Sequence, residues 1–211
     1  WESNSFMPTT AAIEAGCEGY RYGFVGDSPH EVLATVKDAL AHADLVITSG
    51  GVSMGAYDVV KQVLQRLGTV RFEKVAVQPG MPQGYGTVGE NRVPVITLPG
   101  NPVSAYVSFH LFVLPALRKM SGLPQEQLPS VRARLLAPVV SSPRGRRSYL
   151  RAVLDYDAAG GDVAYTALPA GKQGSHQLSG LAEANALVVV PEQVTELPVG
   201  SVVEALQLPR R

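Results

Sequence analysis

The pattern of hydrophobic and polar positions changes about halfway along the chain. In the first part, apolar residues at helical spacing alternate with short apolar runs. Phe6–Ala15 has the pattern of a short helix, stopped by Gly16. Tyr20–Val25 reads as a strand. Ser28-Pro29-His30-Glu31 is a helix start, with Ser28 at the N-cap, Pro29 at the first helical position and Glu31 placed to close a capping box. Behind it Val32, Leu33, Val36 and Leu40 share one face. Asp44–Thr48 is a short strand broken by Ser49-Gly50-Gly51. Val59, Val60, Val63, Leu64 and Leu67 then give a helix over Tyr57–Leu67 that stops at Gly68.

Val70–Val77 is a strand running into Pro79-Gly80-Met81-Pro82. Gln83–Val88 and Val93–Leu98 flank Gly89-Glu90-Asn91 as a hairpin. Asn101 caps, and Pro102 opens, a helix to Met120 that is apolar almost all round and therefore buried. This alternation predicts a mostly parallel, three-layer α/β/α domain. Such sheets usually begin with a strand, whereas this chain begins beside a helix, so a truncated domain is expected.

Beyond Ser121-Gly122-Leu123-Pro124 the helical spacing disappears. Val131–Val140, Ser148–Tyr156, Val163–Leu168, Ala186–Val190 and Ser201–Leu208 are five short strands separated by turn residues, a small all-β barrel or sandwich. The expected organisation is an α/β domain over 1–122, a linker over 123–130 and a β-barrel domain over 131–211.

Composition narrows the function. The 18 Lys and Arg balance 18 Asp and Glu, and charged residues are 17% of the chain. Binding to nucleic acid or an acidic membrane surface needs an excess of positive charge, so neither partner is expected. Residues 1–122 hold 9 basic and 10 acidic residues and 123–211 hold 9 and 8, so neither part is polybasic. One cysteine, Cys17, excludes an intrachain disulfide framework and a paired-cysteine metal site, and fits a reducing, cytoplasmic setting. No apolar run approaches the roughly 18 residues of a membrane span.

The 21 glycines and 16 prolines gather in short motifs. In a parallel α/β sheet, loops after the carboxyl ends of strands bring backbone N–H groups and helix N-termini to one edge, where they hold anions. Four loops qualify: Gly26-Asp27-Ser28-Pro29, Ser49-Gly50-Gly51-Val52-Ser53-Met54-Gly55, Gln78-Pro79-Gly80-Met81-Pro82 and Leu98-Pro99-Gly100-Asn101-Pro102. In the second, paired glycines admit close backbone approach and Ser49 and Ser53 add hydroxyls. Asp58 and Lys61, three apart on the next helix, make either an oxyanion or metal site or an ordinary surface pair. Asp27 is either a metal ligand or a turn former. The histidines show no metal spacing, His110 reads as a core residue, and no nucleophile elbow is present. Arg144, Arg146 and Arg147 form a basic knot that is either solvated surface or, with Arg151 and Lys172, a cover for an anion.

The second loop with Asp58 and Lys61, then Pro79-Gly80-x-Pro82, then Leu98-Pro99-Gly100-Asn101-Pro102-Val103-Ser104-Ala105, in that order, resemble the molybdopterin molybdenumtransferase family, whose relatives include the E domain of gephyrin. Ser3-Asn4, Gln173-x-Ser175 and Ala184-Asn185-Ala186-Leu187 also look like its landmarks. The resemblance implies a transferase that inserts molybdate into adenylated molybdopterin and releases AMP, aided by magnesium and working as a homodimer. The alternative is a non-catalytic pterin-binding or scaffolding relative. By that likeness Gly50, Gly51, Ser53 and Asp58 line the pterin-phosphate and metal side, with Asp27 and Asp58 as catalytic and metal-binding residues. Asp27, Pro99 and Pro102 shape the cleft, Ser49, Lys61, Gly80, Pro82, Gly100 and Asn101 belong to the binding loops, and Arg151 with Ser175 approaches the anion from the barrel.

Two departures stand out. Many members have Lys-Pro-Gly-Lys-Pro in the third loop, where this chain has Gln78 and Met81, so two positive charges are missing unless Lys74 or Arg151 compensates. The family's N-terminal domains and first strand are also absent, which implies that the chain alone is inactive or impaired.

Overall fold

A parallel pair of strands, β1 (Val46–Ser49) and β5 (Val93–Leu98), organises the first half of the computed structural model, which describes residues 4–23, 25–26, 28–50, 58–171, 173 and 179–209. With β2 (Arg71–Lys74) and β4 (Pro82–Val88) they form a sheet in the order β1-β5-β4-β2. The sheet is mixed rather than mostly parallel: β4 is antiparallel to both β5 and β2. Chain length explains this. A parallel crossover needs a dozen or more residues, and the turn joining β4 to β5 is the predicted hairpin, closed by the Arg92 N–H on the Gly89 carbonyl at 3.1 Å.

Two helices, α2 (Pro29–His42) and α3 (Val59–Leu67), cover one face of this sheet, packing Val32, Val36, Ala39, Val63 and Leu64 against Val46, Val88, Val93 and Val95. Alternation along β4 turns Gln83 to the other face, where its amide donates to Ser108 of α4 (Pro102–Ser108). That helix continues through a π turn, Phe109–Val113, into α5 (Leu114–Met120). Helices on both faces make three layers. The π turn lies just before Pro115, which has no N–H to offer the preceding turn and whose ring crowds it. Val103, Ala105, Val107, Phe109 and Val113 are fully buried, as the all-round apolar pattern predicts. His110 sits among them, its Nδ1 donating to the Tyr106 carbonyl at 2.9 Å, a core histidine.

Local expectations fail in two places. Tyr20–Gly23 and Val25 form no strand; Tyr20 and Tyr22 point outward and give their hydroxyls to Glu18 and Asp38. The segment runs beside α1 (Phe6–Glu14), where Gly19 lies against Thr9 and Ile13, and makes no sheet pairing. Ser28 does cap α2 in an extended conformation, but its side chain accepts no helix N–H and no capping box closes. The Glu31 carboxylate instead occupies the space beside Gly26.

The chain divides into two compact units, residues 1–75 with 80–124, and residues 76–79 with 125–211. The predicted strand Val70–Val77 is therefore two strands. β2 ends at Lys74, while β3 (Val77–Gln78) pairs with β7 (Arg147–Tyr156) of the second unit. There β6 (Ser130–Leu135), β7, β8 (Tyr165–Pro169), β9 (Ala186–Val190) and β10 (Val202–Gln207) run in the order β7-β8-β6-β10-β9, and β9 pairs back to β7. This closes a five-stranded barrel. Its interior is filled by small and branched residues, including Ala133, Ala152, Ala167, Ala186, Val188 and Ala205, as a narrow barrel requires.

Two side-chain amides hold β7 as an extra strand would. The Asn185 Oδ1 accepts the Leu154 N–H at 2.7 Å and its Nδ2 donates to the Leu154 carbonyl at 3.0 Å. Gln173 does the same at Arg151, with both bonds at 3.0 Å, and also reaches the Ala170 carbonyl. Asn185→Ala is expected to strand a buried N–H and C=O and to cost about 2 kcal/mol, measurable as a lower midpoint in urea unfolding.

Candidate functional site

Strand direction places several predicted residues at one edge of the first unit's sheet. β1, β2 and β5 run the same way and end at Ser49, Lys74 and Leu98, while β4 runs oppositely and begins at Pro82. The register pairs Ser49 with Leu98 and Lys74 with Pro82. The second, third and fourth loops therefore all leave or enter the sheet at this edge.

The second and fourth loops touch there. The Gly50 N–H extends the parallel ladder by donating to the Leu98 carbonyl at 3.0 Å. A Cβ on Gly100 would lie 3.4 Å from the Gly50 Cα, so the two turns meet backbone on backbone. Gly50 has φ +82 and open space where a side chain would be, the combination expected where a main chain is offered to a ligand. The Asn4 Nδ2 donates to the Gly100 carbonyl at 2.6 Å, which brings another predicted landmark to the same turn. Asn101 caps α4, its Oδ1 accepting the Ser104 N–H at 3.1 Å and the Ser104 hydroxyl at 3.3 Å, with Pro102 at the first position and Pro99 at the strand end.

Asp58 is the N-cap of α3: its Oδ1 accepts the Lys61 N–H at 3.3 Å. Lys61 directs its ammonium over the Phe72 ring, 5.4 Å from the centroid. Asp58 thus has a structural task that spacing alone did not reveal. Gly80 is likewise held by packing: at φ +98, a Cβ would stand 2.6 Å from the Ser108 Oγ. Asp27, Gly51, Ser53 and Ser175 lie outside the described residues.

In the barrel unit, Arg151 is only 1% exposed, and burial pushes its guanidinium below the ordinary arginine value. It lies beneath α6 (Ser179–Glu183), where a Cβ on Gly180 would come within 3.4 Å of its Nε. The guanidinium that does stand at the third loop is that of Arg146. Half-buried, it donates from Nη1 to the Gln78 Oε1 at 3.2 Å. Arg147 is neutralised by Glu192 at 3.2 Å, and that carboxylate raises the Arg147 pKa further. Arg146 is held by a neutral amide. In the sequence it is one member of a basic knot; only the pairing of β3 with β7 singles it out.

Residues 2–119 match the family described as probable molybdopterin binding domain. The chain belongs to this family. Residues 132–208 match the MoeA C-terminal region, domain IV. Molybdopterin molybdenumtransferase 2 of Mycobacterium tuberculosis is 43% identical over 99% of this chain and 51% of its own length. Gephyrin of Dictyostelium discoideum is 35% identical over 87% of this chain and 28% of its own. The crystal structure of the molybdopterin biosynthesis MoeA protein from Pyrococcus horikosii superposes with a TM-score of 0.79 at 30% identity, covering 100% of this chain and 49% of that one. The chain spans about half the length of the curated molybdenumtransferases it matches.

The Asp58 cap separates its structural role from any role of its charge. Asp58→Ala is expected to cost about 1 kcal/mol in thermal unfolding, and Asp58→Asn to keep most of that stability because Asn caps equally well. A change in ligand binding on Asp58→Asn then belongs to the carboxylate itself.

Proposed function

We propose that this chain is the oxyanion-holding part of a transferase that inserts molybdate into adenylated molybdopterin and releases AMP, the last step of molybdenum cofactor assembly. The observation that carries this reading is the backbone contact of Gly50 and Gly100 at the ends of two parallel strands. Molybdate is a tetrahedral dianion and the other substrate carries phosphate groups. Both are held by N–H donors, helix starts and guanidinium groups rather than by an acid–base dyad. In this reading the turns at Gly50 and Gly100 and the capped start of α4 orient the substrate, and Ser49, Lys61, Lys74, Gly80 and Pro82 frame the same edge.

The family resemblance also implies magnesium and a homodimer. Among the described residues no three His, Cys, Asp or Glu side chains converge to hold a metal, and Asp58 spends one oxygen on the Lys61 N–H. The described residues do not by themselves fit a divalent-cation site. Nor is any helix among them long and apolar enough to cross a membrane.

The non-catalytic, gephyrin-like alternative has its own support: the resemblance implies lysines at positions 78 and 81, where this chain has Gln78 and Met81, and Gln78 is engaged by Arg146. Molybdate-dependent AMP release by a full-length protein carrying this sequence decides between the two, since a scaffold releases none. Met81→Lys is expected to lower the molybdate dissociation constant roughly tenfold through an added charge-assisted bond. Unchanged affinity in calorimetry removes the third loop from the site.

A further inference from the structure

The helix that starts at the candidate site has one side that carries small polar residues. Asn101, Ser104 and Ser108 follow at spacings of three and four residues and share that side. Ser108 is 1% exposed, and its Oγ accepts from the Gln83 Nε2 at 2.6 Å. The same nitrogen donates to the Gly80 carbonyl at 2.6 Å. Because a carbonyl can only accept, the Gln83 amide is fixed in this orientation. Gly80 in turn lies 3.4 Å, at its would-be Cβ, from the Ser104 carbonyl. At the base of the loop the Val75 N–H donates to the Met81 carbonyl at 2.8 Å.

Gln83 itself is only 5% exposed, and its Oε1 has no partner. An apolar side chain of equal length would fill the same space without that cost. What the glutamine adds is a pair of donations joining the third loop to the helix that carries the fourth.

We infer that Gln83 is a positioning residue: through Ser108 and Gly80 it makes the Gly80-Met81-Pro82 turn and the Asn101-capped start of α4 one rigid clamp, and so sets the spacing of the groups that take the oxyanion. The inference rests on the proposed site and names the residue that fixes its geometry without touching ligand.

The test uses Gln83→Met, which keeps length and volume but neither donation, and Ser108→Ala, which removes one acceptor. Amide hydrogen exchange is measured on the 211-residue chain and molybdate calorimetry on a full-length protein carrying this sequence. In Gln83→Met, exchange of the Val75 N–H, which donates to the Met81 carbonyl, is expected to rise roughly tenfold while α2 keeps its protection, and the molybdate dissociation constant to rise by a similar factor. Ser108→Ala is expected to move both the same way by less. Unchanged exchange at Val75, or faster exchange throughout the unit with unaltered molybdate affinity, overturns the inference, because the latter is the signature of core packing alone. If the unsubstituted full-length protein binds no molybdate, the proposed transferase site falls. Local exchange then decides by itself whether Gln83 holds the loop.

Discussion

The structure of the first unit depends on one parallel pairing. β1 and β5 lie side by side with Ser49 opposite Leu98, so both strands stop at the same level and their turns leave together. Parallel strands cannot be joined by a tight turn, so each must continue into a connection of its own. Here the strand ends give two turns whose main chains meet at Gly50 and Gly100. A side chain at either position adds bulk where backbone is to be presented, and at Gly50 the positive φ disfavours one as well. Two sets of polar main-chain groups at one edge, beside a capped helix start, form an environment suited to negative charge.

The antiparallel strands serve the same edge by a different route. β4 enters the sheet where β1 and β5 leave it, so the third loop arrives where the second and fourth begin. This loop is also where the chain visits the second unit, since 76–79 belong with the barrel while Val75 and Gly80 belong with the sheet. A loop bound at several points cannot be tuned for ligand chemistry alone. Gln78 takes part in the β3–β7 pairing and accepts from Arg146, so a lysine there would put two cations together.

Much of this was legible in the sequence, for reasons that can be stated residue by residue. Pro102 after Asn101 and Leu67 before Gly68 mark helix ends because their backbone and capping demands are local. The five barrel strands were recognisable from alternation and turn residues, and Asn101 does what its type predicts. The antiparallel pairing of β4 with β5 was legible in the short Gly89-Glu90-Asn91 turn, whereas apolar alternation carries no direction and did not show that β2 lies antiparallel on the other side of β4. The division of Val70–Val77 between two units was hidden for a related reason. Hydrophobicity is continuous through Val75, Ala76 and Val77, and nothing local says that Val77 finds its partner seventy residues away, at Arg147.

Arg151 and Arg146 show the same limit from the side of function. Arg151 sits in a strand and matched an expected anion contact, yet β7 has neighbours on both sides and the residue is buried beneath α6, where a charge is tolerated only by what surrounds it. Arg146, five residues earlier, lies just before β7, whose first residues pair with the short β3, and its side chain remains half exposed. Type and spacing made these arginines equivalent; the barrel separates them into one that is buried and one that reaches solvent. The same physics applies to Asp58, whose carboxylate completes a helix before it is available for chemistry. A polar residue at such a site therefore has two accounts to satisfy, and the hydrogen bonds it already makes set how much of it is left for a substrate.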